Sequence, residues 1–313
     1  MLNRTTIHEE MLRKDGRSPR EVVEERVPGP TGEVSFEALD EIHIDHLTFD
    51  YEDTCEVQTP HGWTGEAQTP LLDDTSCTIP TSNHLIKLVN DLSAEKGQRR
   101  WAKRTLMRLM AKKLYPLSGS ITMPPHKRVL LVDRNPVLLN GSLLENLRFG
   151  ILPENEEHVC EEIAIAVAIT LGMSSELASS PDRSLTEGDQ KLPTRDVIAI
   201  TLARMFLAEP GVILLDHLGD SLGSDFSEHI LGGLLRRYVQ GGLLAVVQGL
   251  DVCENVLRLQ KLHHKSVGQA NTVKLPPAPA FLPTVVWSSL VTTPGVGDYV
   301  LHMKDGKLRL EQP

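Results

Sequence analysis

The densest run of reactive side chains is basic: Lys96 to Lys113 (KGQRRWAKRTLMRLMAKK), with Trp101 inside it. Cations interleaved with an aromatic ring suit single-stranded nucleic acid, phosphates against the charges and a base against the ring. An acidic lipid surface would use the charges alone. The same run also reads as a solvated helix face or an interface with an acidic partner. The whole chain favours that reading, because Lys+Arg 32 against Asp+Glu 42 gives a net charge of -10, the wrong sign for a chain that coats polyanions. Nucleic acid is not the expected partner. His263 and His264 in KLHHK could ligate a metal, but no cysteine or acidic pattern accompanies them, so a loop pair is the expectation and no metal site is assigned. Cys55, Cys77, Cys160 and Cys253 lie far apart without paired spacing. That pattern fits reduced thiols better than a disulfide framework or a zinc site.

The elements that must position these residues follow from periodicity. At 313 residues and roughly 150 per domain, the chain holds one large domain with extensions or two modest ones. Apolar residues at 40% and charged residues at 24% exclude wholesale disorder and coiled coil. Residues 1–40, with Pro28, Gly29, Pro30 and Gly32, read as an arm or linker. EIHIDHLTFDY, from Glu41, alternates as a strand with a register change. Glu52 to Pro70 reads as a loop excursion, and DDTSCTI and HLIKLV as short strands. Trp101 to Leu114 is helical in pattern, with Leu106, Met107, Leu109, Met110 and Leu114 on one side. Apolar runs then alternate with helices: RVLLV, the helix EEIAIAVAIT, the helix DVIAITLARMFLA, GVILLD, the helix FSEHILGGLLRRYV, and LLAVVQ as a strand. The order predicts a parallel α/β sheet. LPPAPAFLP marks a surface insertion, and DYVLHMKDGKLRLEQ a closing hairpin turning at Asp305 and Gly306. The longest apolar stretch, Ile163 to Met173, falls short of the roughly 18–20 residues of a membrane span. Glu9, Glu10 and Asp15 spoil a presequence. The expected location is cytoplasmic, or peripheral on a membrane-associated complex.

Taken in order, these segments resemble the nucleotide-binding domain of ABC transporters, exporter type, over residues 41–313. NPVLLNGSLLENLRFG (Asn135 to Gly150) is the most specific match. LYPLSGSITM, LARMFLAEPGVILLD and DYVLHMKDGKL fall in the family's order. The resemblance implies an ABC-type ATPase fold: a mixed or parallel α/β sheet core, an N-terminal antiparallel β subdomain, a helical subdomain at about 151–195 and an insertion at about 252–296. It places Tyr51 where adenine stacks, and Gly97, Lys103 and Thr105 on the phosphate loop GQRRWAKRT. Arg104 then stands at the Mg²⁺-binding hydroxyl, Arg134 at the glutamine that contacts metal and water, and Asp216 at the metal-supporting carboxylate. His217 falls at the catalytic glutamate, and Gln248 at the switch histidine. Leu192, Pro193, Thr194, Arg195 and Asp196 correspond to the signature LSGGQ, and Asp220 to Gly223 to the segment after the catalytic strand.

Tyr51, Gly97, Lys103, Thr105 and Asp216 keep the family's residue types, and most other positions depart from the pattern. A phosphate loop needs glycines so that backbone N–H groups converge on phosphate, and Arg100 and Ala102 occupy two of those places. Removing one positioning element of phosphoryl transfer commonly costs about 10²- to 10³-fold, and several are changed. The resemblance therefore implies a pseudo-ATPase kept as a structural or regulatory subunit. The alternative is an ATP-binding, hydrolysis-deficient half of a transporter, paired with an active domain and a separate membrane protein. A composite-site ATPase with His217 as base is a third reading. No cofactor is expected, with ATP bound without Mg²⁺ as the variant case. With Arg104 and Arg134 both at metal-ligand positions, an arginine is expected to pair Asp216 in the metal's place. Partners are proteins: a membrane transporter domain or a multi-subunit complex.

Overall fold

The computed structural model describes residues 40–51, 70–90, 99–185, 192–223, 226–249, 276, 279, 282–288 and 297–312, all within one compact unit, Asp40–Pro313. Gly97, the 52–69 excursion, His263, His264, Cys55 and Cys253 lie outside these residues.

The chain opens on an antiparallel sheet. β1 (Glu41–Phe49) lies between β2 (Leu72–Pro80) and β4 (Ser118–Thr122). The register change read in EIHIDHLTF is real, since pairing with β2 shifts between Ile44 and Leu47 and again before Phe49. These irregularities keep Ile42, Ile44, Leu47 and Phe49 all buried, which strict alternation could not do.

The second sheet has six strands in the order β5-β6-β7-β3-β8-β9. They are β3 (Leu85–Asn90), β5 (Val129–Val132), β6 (Val212–Asp216), β7 (Thr284–Ser288), β8 (Tyr299–Lys304) and β9 (Lys307–Glu311). All pairings are parallel except the closing β8–β9 hairpin, which turns on Asp305 and Gly306 at φ 47 and 74. The central strands are buried on both faces, as helix-covered parallel strands must be. Val212, Leu214 and Val286 pack with α1 (Arg99–Met110) and the antiparallel sheet. Ile213, Leu215, Val285 and Trp287 pack toward the helices of the other side.

Those helices are α2 (Leu143–Arg148), α3 (Glu161–Thr170), α4 (Ser175–Ala178), α5 (Thr194–Leu207) and α6 (Gly232–Gly249), with a 3-10 turn at Pro153–His158 and a π turn at Phe226–Leu231 leading into α6. The motif around Asn140 explains its own helix. Ser142 caps α2 by accepting from Glu145 N, and the Glu145 carboxylate accepts from Ser142 N, the reciprocal capping box. α3 is apolar almost all round, with Ile163 through Ala168 buried, so it is a core helix. Among the described residues no helix is long and apolar enough to cross a membrane.

One expected strand is corrected. Leu243–Gln248 is helical, continuing α6 past a break at Gly241 (φ -160) and Gly242 (φ 62). The sheet position between β6 and β3 is filled by Thr284–Ser288 instead, from within the stretch expected to be an insertion. A short apolar run fits a buried strand and a buried helix alike. The leucines and alanine of LLAVVQ favour helix, while the Thr, two Val and Trp of β7 favour strand.

Candidate functional site

Strands β6, β7 and β3 end together, and the polar side chains of the candidate site collect at those ends and on the first turns of α1. Arg104, on α1, is the centre. Its Nη2 donates to Asp133 Oδ1 at 2.7 Å, and its Nε lies 3.5 Å from Asp216 Oδ2. Arg108, one turn later, reaches the other oxygen of Asp133 at 3.2 Å. Asp133 follows β5 directly, so one guanidinium bridges the ends of β5 and β6. Burial works to raise the Asp133 pKa, but the Arg108 hydrogen bond and the charges of Arg104 and Arg108 hold it below the usual value. At Asp216 burial wins. Its pKa is raised despite the pull of His217, Arg104 and Lys103, and Asp133 adds to the rise.

Lys103 is buried beside this pair. Burial first, with the charge of Lys87 adding to it, brings its pKa to about 8, against the opposing pull of Asp220 and Asp216. Lys87 is itself buried in mid-strand, its Nζ 5.7 Å from the centre of the Trp287 ring. Tyr51 does not stand free. Its hydroxyl lies 2.8 Å from Thr105 Oγ1 and its ring meets Phe49 edge-on, so the residue expected to stack adenine leans on the middle of α1.

His217 follows β6 in the left-handed region, φ 51. Its Nδ1 is 2.6 Å from Asp220 Oδ2, and its Nε2 is 2.8 Å from Ser288 Oγ at the end of β7. The Ser227 hydroxyl donates to the second oxygen of Asp220. This Ser–His–Asp chain has the connectivity of a hydrolytic triad, yet Ser288 has no exposed surface and no substrate carbon can approach its oxygen. Its visible role is to tie the ends of β6 and β7 together and to hold His217 in its left-handed conformation.

Several expected site residues are not brought here. Arg134 is exposed, and the arginine that reaches Asp216 is Arg104. Gln248 is exposed on α6, so its assignment to the switch position is corrected: the strand that pairs with β6 ends at Ser288, not at Gln248. Leu192, Pro193, Thr194 and Arg195 lie at the start of α5, where Pro193 gives no side-chain cap. Asp196 is buried and accepts from Ser174 N and Oγ at 2.8 and 3.1 Å, an internal fastening of the helical subdomain. Asp133, Asp220, Ser288 and Lys87 were missed. Asp133 sits beside Arg134 in VDRNP, and Asp220 was noted only for what its segment lacks. A lysine within the apolar run HLIKLV was the available signal for Lys87.

A divalent metal at Asp216 would meet like charge. Mg²⁺ demands hard oxygen ligands in octahedral array, and the hydroxyl position beside Asp216 carries the Arg104 guanidinium at 3.5 Å.

The comparisons with known proteins point one way. An ABC multidrug transporter of Emericella nidulans, atrC, is 25% identical over 249 residues, 72% of this chain and 18% of its own length. The mitochondrial ATP-dependent permease MDL1 of Saccharomyces cerevisiae is 33% identical over 125 residues, 37% of this chain and 16% of its own. Human ATP-binding cassette sub-family C member 4 is 26% identical over 171 residues, covering 54% and 12%. A solved bacterial Atm1-family ABC exporter with ATP bound aligns over 86% of this chain and 38% of its own, at 14% identity and a TM-score of 0.48. No protein-family model matches. The mixed α/β sheets with a helical layer match an ABC ATPase-type fold, and these relatives support an ABC transporter-type domain. It spans less than a fifth of the length of the curated relatives it matches.

Proposed function

We propose that this domain is a pseudo-ATPase, a structural or regulatory subunit whose role is contact with a partner protein. One observation carries the reading: Arg104 lies between Asp133 and Asp216, where the family places the metal. A guanidinium between two carboxylates is a strong, geometrically specific pair. It brings opposite charge to a nearly buried aspartate that is costly to ionise alone, as an ion pair rather than a hydrogen bond, since Arg104 Nε and Asp216 Oδ1 have no hydrogen-bond partner. Catalysis of phosphoryl transfer needs uncommitted positive charge and a metal directed at the γ-phosphate. Here Arg104 and Arg108 are already drawn to Asp133, and the Lys103 ammonium is desolvated beside Asp216 and Asp220.

The relatives are transporters, which favours a membrane transporter domain as the partner and a location peripheral to the membrane. The same relatives support a second reading: an ATP-binding, hydrolysis-deficient half paired with an active domain. The closed ion pair favours the first. Thermal unfolding with ATP, with and without Mg²⁺, separates them. No shift in either condition is the expected result. A shift with ATP alone supports the second reading, and a Mg²⁺-dependent shift or turnover refutes both.

A further inference from the structure

Asn140–Gly141 is the one asparagine–glycine pair in the chain, and it directly precedes Ser142, the cap of α2. A backbone nitrogen that follows asparagine can attack the side-chain carbonyl carbon. Glycine permits the approach best, because it has no Cβ in the way and the least restricted dihedral angles. Asn140 is exposed. Among the described residues the Gly141 N–H donates no hydrogen bond, whereas Gly141 O accepts from Leu185 N at 2.9 Å. The fold also keeps the reactive pair in place. A Cβ at position 141 would meet Glu145 Oε2 at 2.5 Å, so the capping box of α2 excludes the bulkier residues that would slow the attack. The other described asparagines each lack a condition. Asn83, Asn90 and Asn155 precede residues with side chains, and Asn135 precedes proline, which has no N–H. Asn146 is buried, its amide nitrogen donating to Leu139 O and Ser142 O.

We propose that Asn140 is a site of spontaneous deamidation, and that the isoaspartate it leaves unfastens the start of α2. Gly141 N bonds to Asn140 Cγ as the N–H proton passes to solvent. The Cγ–Nδ2 bond breaks, ammonia departs, and a five-membered succinimide closes. Water then adds to one of the two ring carbonyl carbons, and the bond from that carbon to the ring nitrogen breaks. Opening at Cγ leaves an ordinary aspartate. Opening at the main-chain carbonyl leaves isoaspartate, whose chain runs on through Cβ and Cγ and is one backbone atom longer. That extra atom falls where the start of α2 is tied to residues 181–185. Leu185 N donates to Gly141 O, Leu143 N to Arg183 O at 3.2 Å, and Leu144 N to Pro181 O at 3.1 Å, with Ser142 bridged to Ser184. Ser142 is also the cap, accepting from Glu145 N at 3.1 Å. A shift of Gly141 and Ser142 breaks the register of all these bonds, so the joint loosens as the molecule ages.

The test ages the whole chain in mildly alkaline buffer at body temperature. Peptide mass spectrometry, methyl transfer by an isoaspartyl methyltransferase, and hydrogen–deuterium exchange then follow the change. The peptide holding Asn140 is expected to gain the mass of an amide-to-acid exchange, with the methyl label at that residue. The amides of Leu143, Leu144, Glu145 and Leu185 should exchange roughly 2- to 30-fold faster than in fresh protein, the range set by loss of one helix cap. Asn140→Gln aged alongside should stay unlabelled there and keep the fresh exchange rates. Comparison of fresh with aged wild type needs no variant, so the result does not hinge on a variant folding. Three outcomes overturn the inference: deamidation of Asn140 only after heat unfolding, labelling of another described asparagine first, or unchanged exchange at those amides in converted protein. None of these readouts involves nucleotide, so turnover of MgATP would refute the pseudo-ATPase reading and leave this one untouched.

Discussion

Arg104→Ala removes the bridge between Asp133 and Asp216 and leaves Asp216, 2% exposed, without its guanidinium. Breaking a buried pair by deleting one partner costs about 3–5 kcal/mol. Arg104 keeps a quarter of its side chain in solvent, which screens the interaction, and Lys103 remains nearby, so about 1–3 kcal/mol is the working figure. At roughly 2–4 °C per kcal/mol for a domain of this size, the unfolding midpoint should fall by roughly 2–12 °C. The pH dependence gives the sharper check. The folded-state pKa of Asp216 is raised, so the native state holds its proton more tightly than the unfolded chain. Stability from that group falls as pH rises from the ordinary carboxylate value of 3.8 through the folded value. Removing Arg104 raises the folded value further and makes that fall deeper. Near pH 3.5 Asp216 is largely protonated in both, so the difference between wild type and variant is there only the part from Asp133, whose lowered pKa keeps its pair with Arg104; it should grow as pH rises and reach its full size at neutral pH. Differential scanning fluorimetry from pH 3.5 to 8 measures it. A variant as stable as wild type at pH 7, or a deficit that shrinks as pH rises, refutes the placement of Arg104 as the partner of Asp216.

Burial brings the folded-state pKa of Lys103 down from the ordinary 10.5 to about 8. A depressed cationic group binds fewer protons in the native state, so wild-type stability should gain between about pH 8 and 10.5 relative to lower pH; Lys103→Met should lack that slope in chemical denaturation. Gly242→Ala should destabilise by about 1–3 kcal/mol, because φ is 62 and a Cβ would meet Pro279 Cγ at 2.7 Å. A neutral result by urea denaturation would remove the support for the helical break in α6.

The sheet was legible because its strands are buried on both faces, and a run such as VILLD can hardly be anything else between a turn and a site. The closing hairpin was legible from its turn residues, and α2 from a capping sequence. LLAVVQ was not, because its apolar run has no alternation and the residues that displace it lie some forty positions later. No local signal says which of two apolar runs reaches a vacant place in a sheet first. At the site, the pairing of an arginine with Asp216 could be foreseen from charge types alone, but not which arginine. Arg134 follows an edge strand and turns outward, whereas Arg104 lies on the first turns of a helix aimed at the strand ends. Asp133 escaped notice because its significance exists only once α1 is laid over the end of β5.

Asp133 ends β5 and closes the candidate site through Arg104 and Arg108. Asp216 ends the adjacent strand β6 and meets the same Arg104 guanidinium from the other side. The helix α1 is therefore fastened to the ends of two neighbouring strands by its own side chains. On the pseudo-ATPase reading, the guanidinium that opposes a cation at Asp216 also supplies that fastening, so loss of catalysis and retention of the fold are two effects of one side chain.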